Sequence, residues 1–240
     1  MPTDRIDDLY AIEETLPDEL PSDPFSFVRR WFDEAHARKV QPNPNAMTLA
    51  TVGPDGWPSA RIVLCKGMNA ELGYVVFYTN YRGRKGRELE ASPRAAIVMH
   101  WDALDRQVRI EGPVVRSPAA ESDAYFATRA LESRIGAWAS DQSEPIASRE
   151  ALLEKVAGTM STLGVPLSAV VDRGSAEALV VPRPPHWGGF RVWARSVELW
   201  LGGTGRVHDR ARWTRDLAPH PDAGGDSFSA SPWRATRLQP

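Results

Sequence analysis

The run Trp200-Leu-Gly-Gly-Thr-Gly-Arg-Val-His-Asp-Arg210 gathers side chains suited to holding a flat anion. Glycines at 202, 203 and 205 predict a turn, because glycine alone reaches positive φ without steric penalty. A strand leaving that turn would alternate its side chains. It would place Arg206, His208 and Arg210 on one face, with Val207 and Asp209 on the other. Two guanidinium forks beside an imidazole suit a phosphorylated heterocycle. An Arg-x-His-x-Arg run alone also describes a solvated strand face, so the rest of the chain has to decide.

Two further stretches carry cations at strand ends. Arg61-Ile-Val-Leu-Cys-Lys66 is an apolar strand bracketed by charges. Alternation sends Arg61, Val63 and Cys65 to one face and Ile62, Leu64 and Lys66 to the other. Either a bulge realigns the two charges, or they serve different ligands or different parts of one ligand. Tyr78-Thr-Asn-Tyr-Arg-Gly-Arg-Lys85 passes from a strand through a glycine into a helix start. Basic residues are mildly unfavourable at the positive end of a helix dipole, so a bound phosphate explains Arg84 and Lys85 better than helix stability does.

Other machinery is absent from the sequence. It has no Gly-x-Gly-x-x-Gly after a strand, no phosphate loop, no His-Glu-x-x-His and no Gly-x-Ser-x-Gly. Five histidines with no pair at ligand spacing predict no metal site. A net charge of −2 gives no reason to expect nucleic acid or an anionic membrane as partner. No segment reaches the roughly 20 apolar residues of a membrane span. With no leader-like apolar run and a single cysteine, the expectation is a cytoplasmic protein. Nine tryptophans suit interfaces and flat ligands as well as a core.

The elements that must position these residues are mostly strands. Acidic residues and prolines predict a mobile arm over 1–23, followed by one domain over 24–240. Asp23 and Pro24 predict a helix start, and apolar spacing continues the helix over 24–39. Strands are predicted at 47–52, 59–67, 73–80, 95–101 and 107–115, then at 189–193, 197–201 and 206–213. Their short links require mostly antiparallel pairing. Helices are predicted at 85–91, 118–131 and 149–163, with a polar loop at 135–145, an irregular stretch at 164–186 and a surface loop at 218–227. The fold class is mainly β with flanking helices, a barrel or sandwich.

Eight motifs then occur in order: Arg61–Lys66, Tyr78–Lys85, Arg106-Gln-Val-Arg-Ile-Glu-Gly112, Tyr125-Phe-x-x-Arg129-x-x-x-Ser133, Ile135-Gly-Ala-Trp-x-Ser-x-Gln-Ser143, Trp187-Gly-Gly-Phe-Arg-Val192, Glu198-Leu-Trp200 and Arg206-Val-His-Asp-Arg210. In this the chain resembles the pyridoxamine/pyridoxine 5′-phosphate oxidase family from about Asp23 to its C-terminus. The resemblance implies a homodimer of flavin mononucleotide (FMN)-binding split β-barrels, with FMN held between subunits. It implies oxidation of pyridoxine or pyridoxamine 5′-phosphate to pyridoxal 5′-phosphate, with O2 reduced to hydrogen peroxide. The alternatives are a related flavin oxidase of phenazine-pathway type or a non-catalytic flavin- or pyridoxal phosphate-binding protein.

Carried over residue by residue, the resemblance assigns FMN to Arg61, Ile62, Val63, Leu64, Cys65, Lys66, Tyr78, Thr79, Arg84, Lys85, Gln107, Gln142, Ser143, Trp200 and Arg210. It assigns substrate to Lys66, Tyr125, Arg129, Ser133, Arg206 and His208, with Arg206 and His208 catalytic. Tyr125, Arg129 and Ser133 lie at i, i+4 and i+8, one face of the predicted 118–131 helix and its end. The chain departs from the family pattern in places. Gly83 stands where the family usually has Ser, and Cys65 replaces a common Leu and reads as a small core residue. Tyr10 has the spacing of a substrate-covering tyrosine, but Asp7 and Asp8 replace the basic residues of that arm. The stretches 164–185 and 218–228 lengthen the usual pattern.

Overall fold

The structure, a computed structural model, describes residues 6–10, 14–171, 179–220 and 227–240. The chain divides into two compact units. Unit one holds residues 1–77, 92–115 and 191–240, and unit two holds 78–91 and 116–190.

Unit one is built on an antiparallel sheet. Its strands are β1 (Ala46–Val52), β2 (Pro58–Leu64), β5 (Arg94–Trp101), β6 (Arg106–Arg116), β8 (Ser196–Leu201), β9 (Asp209–Thr214) and β12 (Arg234–Leu238). They lie in the order β12-β9-β8-β6-β5-β1-β2. One cross-strand row runs Leu49, Ile97, Ile110, Val197 and Trp213, and every member is fully buried. Each such side chain contributes about 1.5–3 kcal/mol, so this row anchors the register. The alternate residues put a polar row on the other face, where Gln107, Trp200 and Arg210 are partners on β6, β8 and β9. Period-two patterning thus sorts core from site.

Helix α2 (Phe25–Ala37) buries Phe25, Val28, Trp31 and Ala35. Asp23 Oδ1 accepts from Phe25 N at 3.2 Å, the capping bond expected of that residue. Residues 14–23 fall within the stretch predicted as a mobile arm, yet they pack onto unit one. Leu16 is 2 % exposed, and its N–H donates to Asp209 Oδ2 at 2.7 Å. Arg237 donates to the carbonyls of Leu16 and Pro17, and Trp213 Nε1 donates to that of Pro21. Composition missed this because one buried leucine and a few backbone acceptors are enough to dock an acidic segment without regular structure. Ahead of it, α1 (Ile6–Leu9) leads to Tyr10, while the side chains of Asp7 and Asp8 lie outside the described residues.

Strand β4 (Tyr74–Asn80) pairs with β3 (Gly67–Asn69) and carries the chain from unit one into unit two. Unit two then contains α3 (Arg84–Ala91), α4 (Ala119–Ala127), α5 (Leu131–Ala139), α6 (Arg149–Thr162) and α7 (Leu167–Val171). Phe126, Leu131, Ile135, Val165 and Trp187 form its core. Strand β7 (Trp187–Trp193) returns the chain to unit one.

Several predicted boundaries are corrected. The helix predicted over 118–131 stops at Ala127, where the Thr128 hydroxyl donates to the Tyr125 carbonyl at 2.8 Å and competes for the backbone. Half of the loop predicted at 135–145 is instead α5, because Leu131 and Ile135 are one helical turn apart and both buried. The strand predicted from 206 begins only at Asp209. The 164–186 stretch contains α7, with 172–178 outside the described residues. Around 218–227, β10 (Leu217–Pro219) pairs with β11 (Phe228–Ala230), with 221–226 outside the described residues.

Candidate functional site

In unit two, β4 ends in Tyr78, Thr79 and Asn80, and α3 begins four residues later. Gly86 makes this close turn possible, since a Cβ there would lie 2.0 Å from the Tyr81 carbonyl oxygen. The turn folds Lys85 back on the strand end, where it is 9 % exposed. Its Nζ donates to Thr79 Oγ1 at 3.1 Å and to Gln142 Oε1 at 2.7 Å. Thr79 Oγ1 also donates to Gln142 Oε1, at 3.2 Å. Asn80 fixes the loop that carries Gln142 by donating to the Ser140 carbonyl at 3.0 Å.

Ser143 occupies the third position of a turn closed by Glu144 N donating to the Asp141 carbonyl, with φ at +73°. That left-handed conformation is uncommon for a residue with a Cβ. Arg84 points elsewhere: it is largely exposed and pairs with Glu88 at 2.8 Å. Thr79, Lys85 and Gln142 thus come together, and Arg84 is committed to its own helix.

The same unit stacks aromatic rings. Tyr78 lies on Tyr125 with centroids 4.0 Å apart and planes 17° apart, and 5.6 Å from Trp187 at 11°. The Arg129 guanidinium sits 4.6 Å above the Trp187 ring. Its Nη1 is buried and makes no hydrogen bond among the described residues. Burial lowers the Arg129 pKa from its ordinary value. An unmet donor on a desolvated cation is costly unless an anion completes it.

Arg129 stands in the break between α4 and α5, and half-buried Ser133 in the first turn of α5. The single helical face expected for Tyr125, Arg129 and Ser133 is therefore replaced by two helices and a turn. Trp187, inside a quoted motif but given no role, is the residue that sequence reasoning missed here.

In unit one, the link from β8 to β9 is a turn of 3-10 helix over Thr204–Arg206. Gly205 and Arg206 have φ of +62° and +65°. This breaks the expected strand alternation of Arg206, His208 and Arg210. Gly203 is required, since a Cβ would meet the Val207 carbonyl oxygen at 1.9 Å. The Gly203 N–H donates to His208 Nδ1 at 3.1 Å, which leaves the ring proton on Nε2. The His208 ring lies 4.6 Å from Trp200. Both line a cleft of about 550 Å³ together with Glu14, Arg106 and Thr204. Arg206 is exposed on the turn. Tyr10 reaches this turn, with its Cε1 2.9 Å from where a Cβ on Gly205 would stand.

Two arginines of the predicted site in unit one are held by protein partners. Arg210 donates to Glu198 Oε1 at 2.7 and 3.2 Å and to the Gln239 carbonyl. Glu198, 6 % exposed, also holds Arg109, a clamp that the sequence reading assigned no role. Arg61 donates to the Leu49 carbonyl and to the hydroxyls of Thr51 and Ser59.

No bulge realigns Arg61 and Lys66. β2 keeps a continuous register with β1 to Leu64, after which Lys66 N donates to the Val76 carbonyl and the chain changes partner strand. Lys66 is exposed, Ile62 is 64 % exposed, and Val63 and Leu64 are half-buried. Cys65 is buried as the sequence suggests, and desolvation pushes its thiol up to about 11. Among the described residues no cluster of His, Cys, Asp or Glu could hold a metal. No described helix is long and apolar enough to cross a membrane.

Residues 32–162 match the family described as pyridoxamine 5′-phosphate oxidase. Residues 187–240 match the pyridoxine 5′-phosphate oxidase C-terminal dimerisation region. The chain is 49 % identical over 222 residues to a pyridoxine/pyridoxamine 5′-phosphate oxidase of Burkholderia lata, covering 92 % of this chain and 91 % of the relative. It is 45 % identical to one from Cupriavidus metallidurans, covering 97 % and 94 %.

Among solved structures, PhzG from Burkholderia lata in complex with tetrahydrophenazine-1-carboxylic acid superposes with a TM-score of 0.75 at 30 % identity, covering 95 % of this chain and 99 % of that one. A pyridoxamine 5′-phosphate oxidase-related, FMN-binding protein of Nostoc punctiforme shares the fold at 16 % identity, with a TM-score of 0.62 and coverage of 93 % and 99 %.

Proposed function

The chain belongs to the pyridoxamine 5′-phosphate oxidase family, an FMN-binding split β-barrel, and from that premise we propose that it is a cytoplasmic homodimer that oxidises pyridoxine and pyridoxamine 5′-phosphate to pyridoxal 5′-phosphate. Two electrons and two protons leave the substrate at its 4′ carbon and heteroatom, and O2 takes them up as hydrogen peroxide. The amine route also consumes water and releases ammonia.

The residues fit the cofactor. Lys85 and Thr79 supply an ammonium and a hydroxyl at a buried strand end, the donor chemistry of a phosphate cradle. Gln107, Trp200 and Arg210 form one cross-strand row. We assign Gln107 and Trp200, with Arg61 to Lys66, Tyr78, Gln142 and Ser143, to FMN; Arg210, bonded to Glu198, holds the end of that row in place. Bound FMN supplies two-electron acceptance and reoxidation by O2; the protein supplies position and charge.

The observation that carries the substrate assignment is the unmet Arg129 donor beside the Tyr78, Tyr125 and Trp187 rings. A phosphate meets that donor, with Tyr125 and Ser133 as its other proposed partners. His208, held by Gly203, keeps Nε2–H as a donor toward the 4′ oxygen or nitrogen, and Arg206 orients the ring.

A second reading has its own support, because the PhzG structure holds tetrahydrophenazine-1-carboxylic acid. Its organism, Burkholderia lata, also supplies the 49 % relative named as a pyridoxine/pyridoxamine 5′-phosphate oxidase, against 30 % identity for PhzG. The vitamer oxidase is the nearer of the two. Oxygen uptake by the yellow protein, with aldehyde formation followed by absorbance, separates them. Matched uptake and aldehyde on pyridoxine 5′-phosphate is the expected result. Turnover of a reduced phenazine carboxylate, with none on either phosphorylated vitamer, would overturn it.

A further inference from the structure

Among the described residues no carboxylate answers Arg129, and what holds it is an aromatic face. Its guanidinium carbon lies 4.6 Å from the centroid of the Trp187 ring and 5.5 Å from that of Phe126. Phe126 meets the same indole edge-on, with centroids 5.1 Å apart and planes 67° apart. Tyr78 and Tyr125 run parallel to the indole within 11° and 8°.

The backbone fixes the ring as well. Trp187 N donates to the Pro184 carbonyl at 3.1 Å, and the Trp187 carbonyl accepts from Arg183 at 2.6 Å. Asp123 on α4 holds Arg183 in turn. Two glycines follow. A Cβ on Gly188 would lie 2.1 Å from the Tyr81 hydroxyl oxygen, and one on Gly189 2.5 Å from Ser117 Oγ. Bare backbone there lets β7 approach α4, where Gly189 N donates to Ser122 Oγ at 3.1 Å. Trp187-Gly-Gly thus sets a large ring, 6 % exposed, against the α4–α5 break that carries Arg129.

We propose that Trp187 is a positioning residue for the substrate phosphate: its π face seats the Arg129 guanidinium and leaves the N–H edge to the phosphate. The inference rests on the assignment of Arg129 to that phosphate. The physical case is a comparison of partners. A carboxylate in that place would take up to two of the N–H donors and set a negative charge beside the arriving anion. A ring attracts the cation through its quadrupole and takes none of the in-plane donors. The seat also orders the side chain in advance, so that less of the binding is spent in ordering it.

The test measures kinetics of the protein at saturating FMN on pyridoxine 5′-phosphate, with inorganic phosphate as competing inhibitor. Trp187→Leu keeps an apolar side chain and removes the π face. It should raise KM, and weaken phosphate inhibition, by about three- to thirtyfold, with kcat changed much less. Trp187→Phe, which restores a smaller π face, should recover part of the loss. In an Arg129→Met background neither substitution should raise KM further, as expected for residues acting through one contact.

An unchanged KM in Trp187→Leu would overturn the seat. So would an equal rise in the Arg129→Met background, which would mean that the ring acts through Tyr78 and Tyr125 instead. Should Trp187→Leu fail to fold, Trp187→Phe carries the same comparison: a KM at the wild-type value, or an equal rise in both backgrounds, sinks the proposal. Arg129→Met separates the two levels. If it leaves KM unchanged, the phosphate assignment falls and takes the seat with it. No turnover of pyridoxine 5′-phosphate by the wild type removes the function on which both rest.

Discussion

In unit two, Lys85 donates to a hydroxyl and an amide, and Arg129 lies over a tryptophan face with a donor unmet. In unit one, Arg106 is bonded to Glu14 and Glu34, and Arg210 to Glu198. All four are basic residues removed from water to differing degrees, yet they differ in what answers the charge. A carboxylate partner settles a buried cation and makes it part of the frame. A cation with a donor unmet, as Arg129 has, leaves its field available to an arriving anion. Charge alone therefore does not mark a ligand-binding arginine; the chemistry of its neighbours does.

The largest expected effect tests the frame side of that contrast. Glu198→Ala leaves Arg109 and Arg210 without their shared carboxylate, and should cost about 3 kcal/mol of stability in urea unfolding. A loss below about 0.5 kcal/mol would place Arg210 among the available cations instead.

Arg129→Met tests the other side. It should raise KM for the phosphorylated substrate about a hundredfold while leaving FMN affinity and melting temperature unreduced. A variant that unfolds, or that loses FMN rather than substrate, would make Arg129 a frame residue.

Acid titration sharpens the difference further. The Arg106 guanidinium beside Glu34 holds its carboxyl below the ordinary value of 4.5. A depressed carboxyl contributes stability that is complete above its ordinary value and is lost as pH falls through the lowered one. Below about pH 4.5, the wild type should thus lose stability more steeply than Glu34→Gln, while near neutrality the substitution itself destabilises. Parallel curves through the acid range would show that the pair contributes nothing.

The smallest effect concerns the backbone. Ser143 and Arg206, one in each unit, are site residues with positive φ. Ser143→Gly should stabilise by about 0.5–1 kcal/mol in thermal melts, because glycine adopts that conformation freely. A loss would mean that the serine side chain holds the Gln142 loop.

Part of the candidate site was legible because it is written in local chemistry. Arg84 and Lys85 are misplaced for a helix N-terminus, and the glycines at 202, 203 and 205 announce a turn. The errors share a cause. The strand face expected for Arg206, His208 and Arg210 assumed that alternation continues out of a glycine turn. A second left-handed residue, Arg206, ended it. The helix drawn through Tyr125, Arg129 and Ser133 had correct spacing but broke at a threonine that satisfies its own backbone.

By itself the sequence determined most of the segments that form the sheet, β12 excepted, and which of their faces is buried, since apolar alternation puts Leu49, Ile97, Ile110 and Val197 on the core side. It also determined the types of residue available to hold an anion. Only the tertiary structure decided which cations are committed to carboxylates. It also decided that Leu16 docks, that Trp187 completes an aromatic stack and that Gln142 reaches Lys85. These are contacts between residues from 4 to more than 190 positions apart, set by packing and desolvation rather than by propensity.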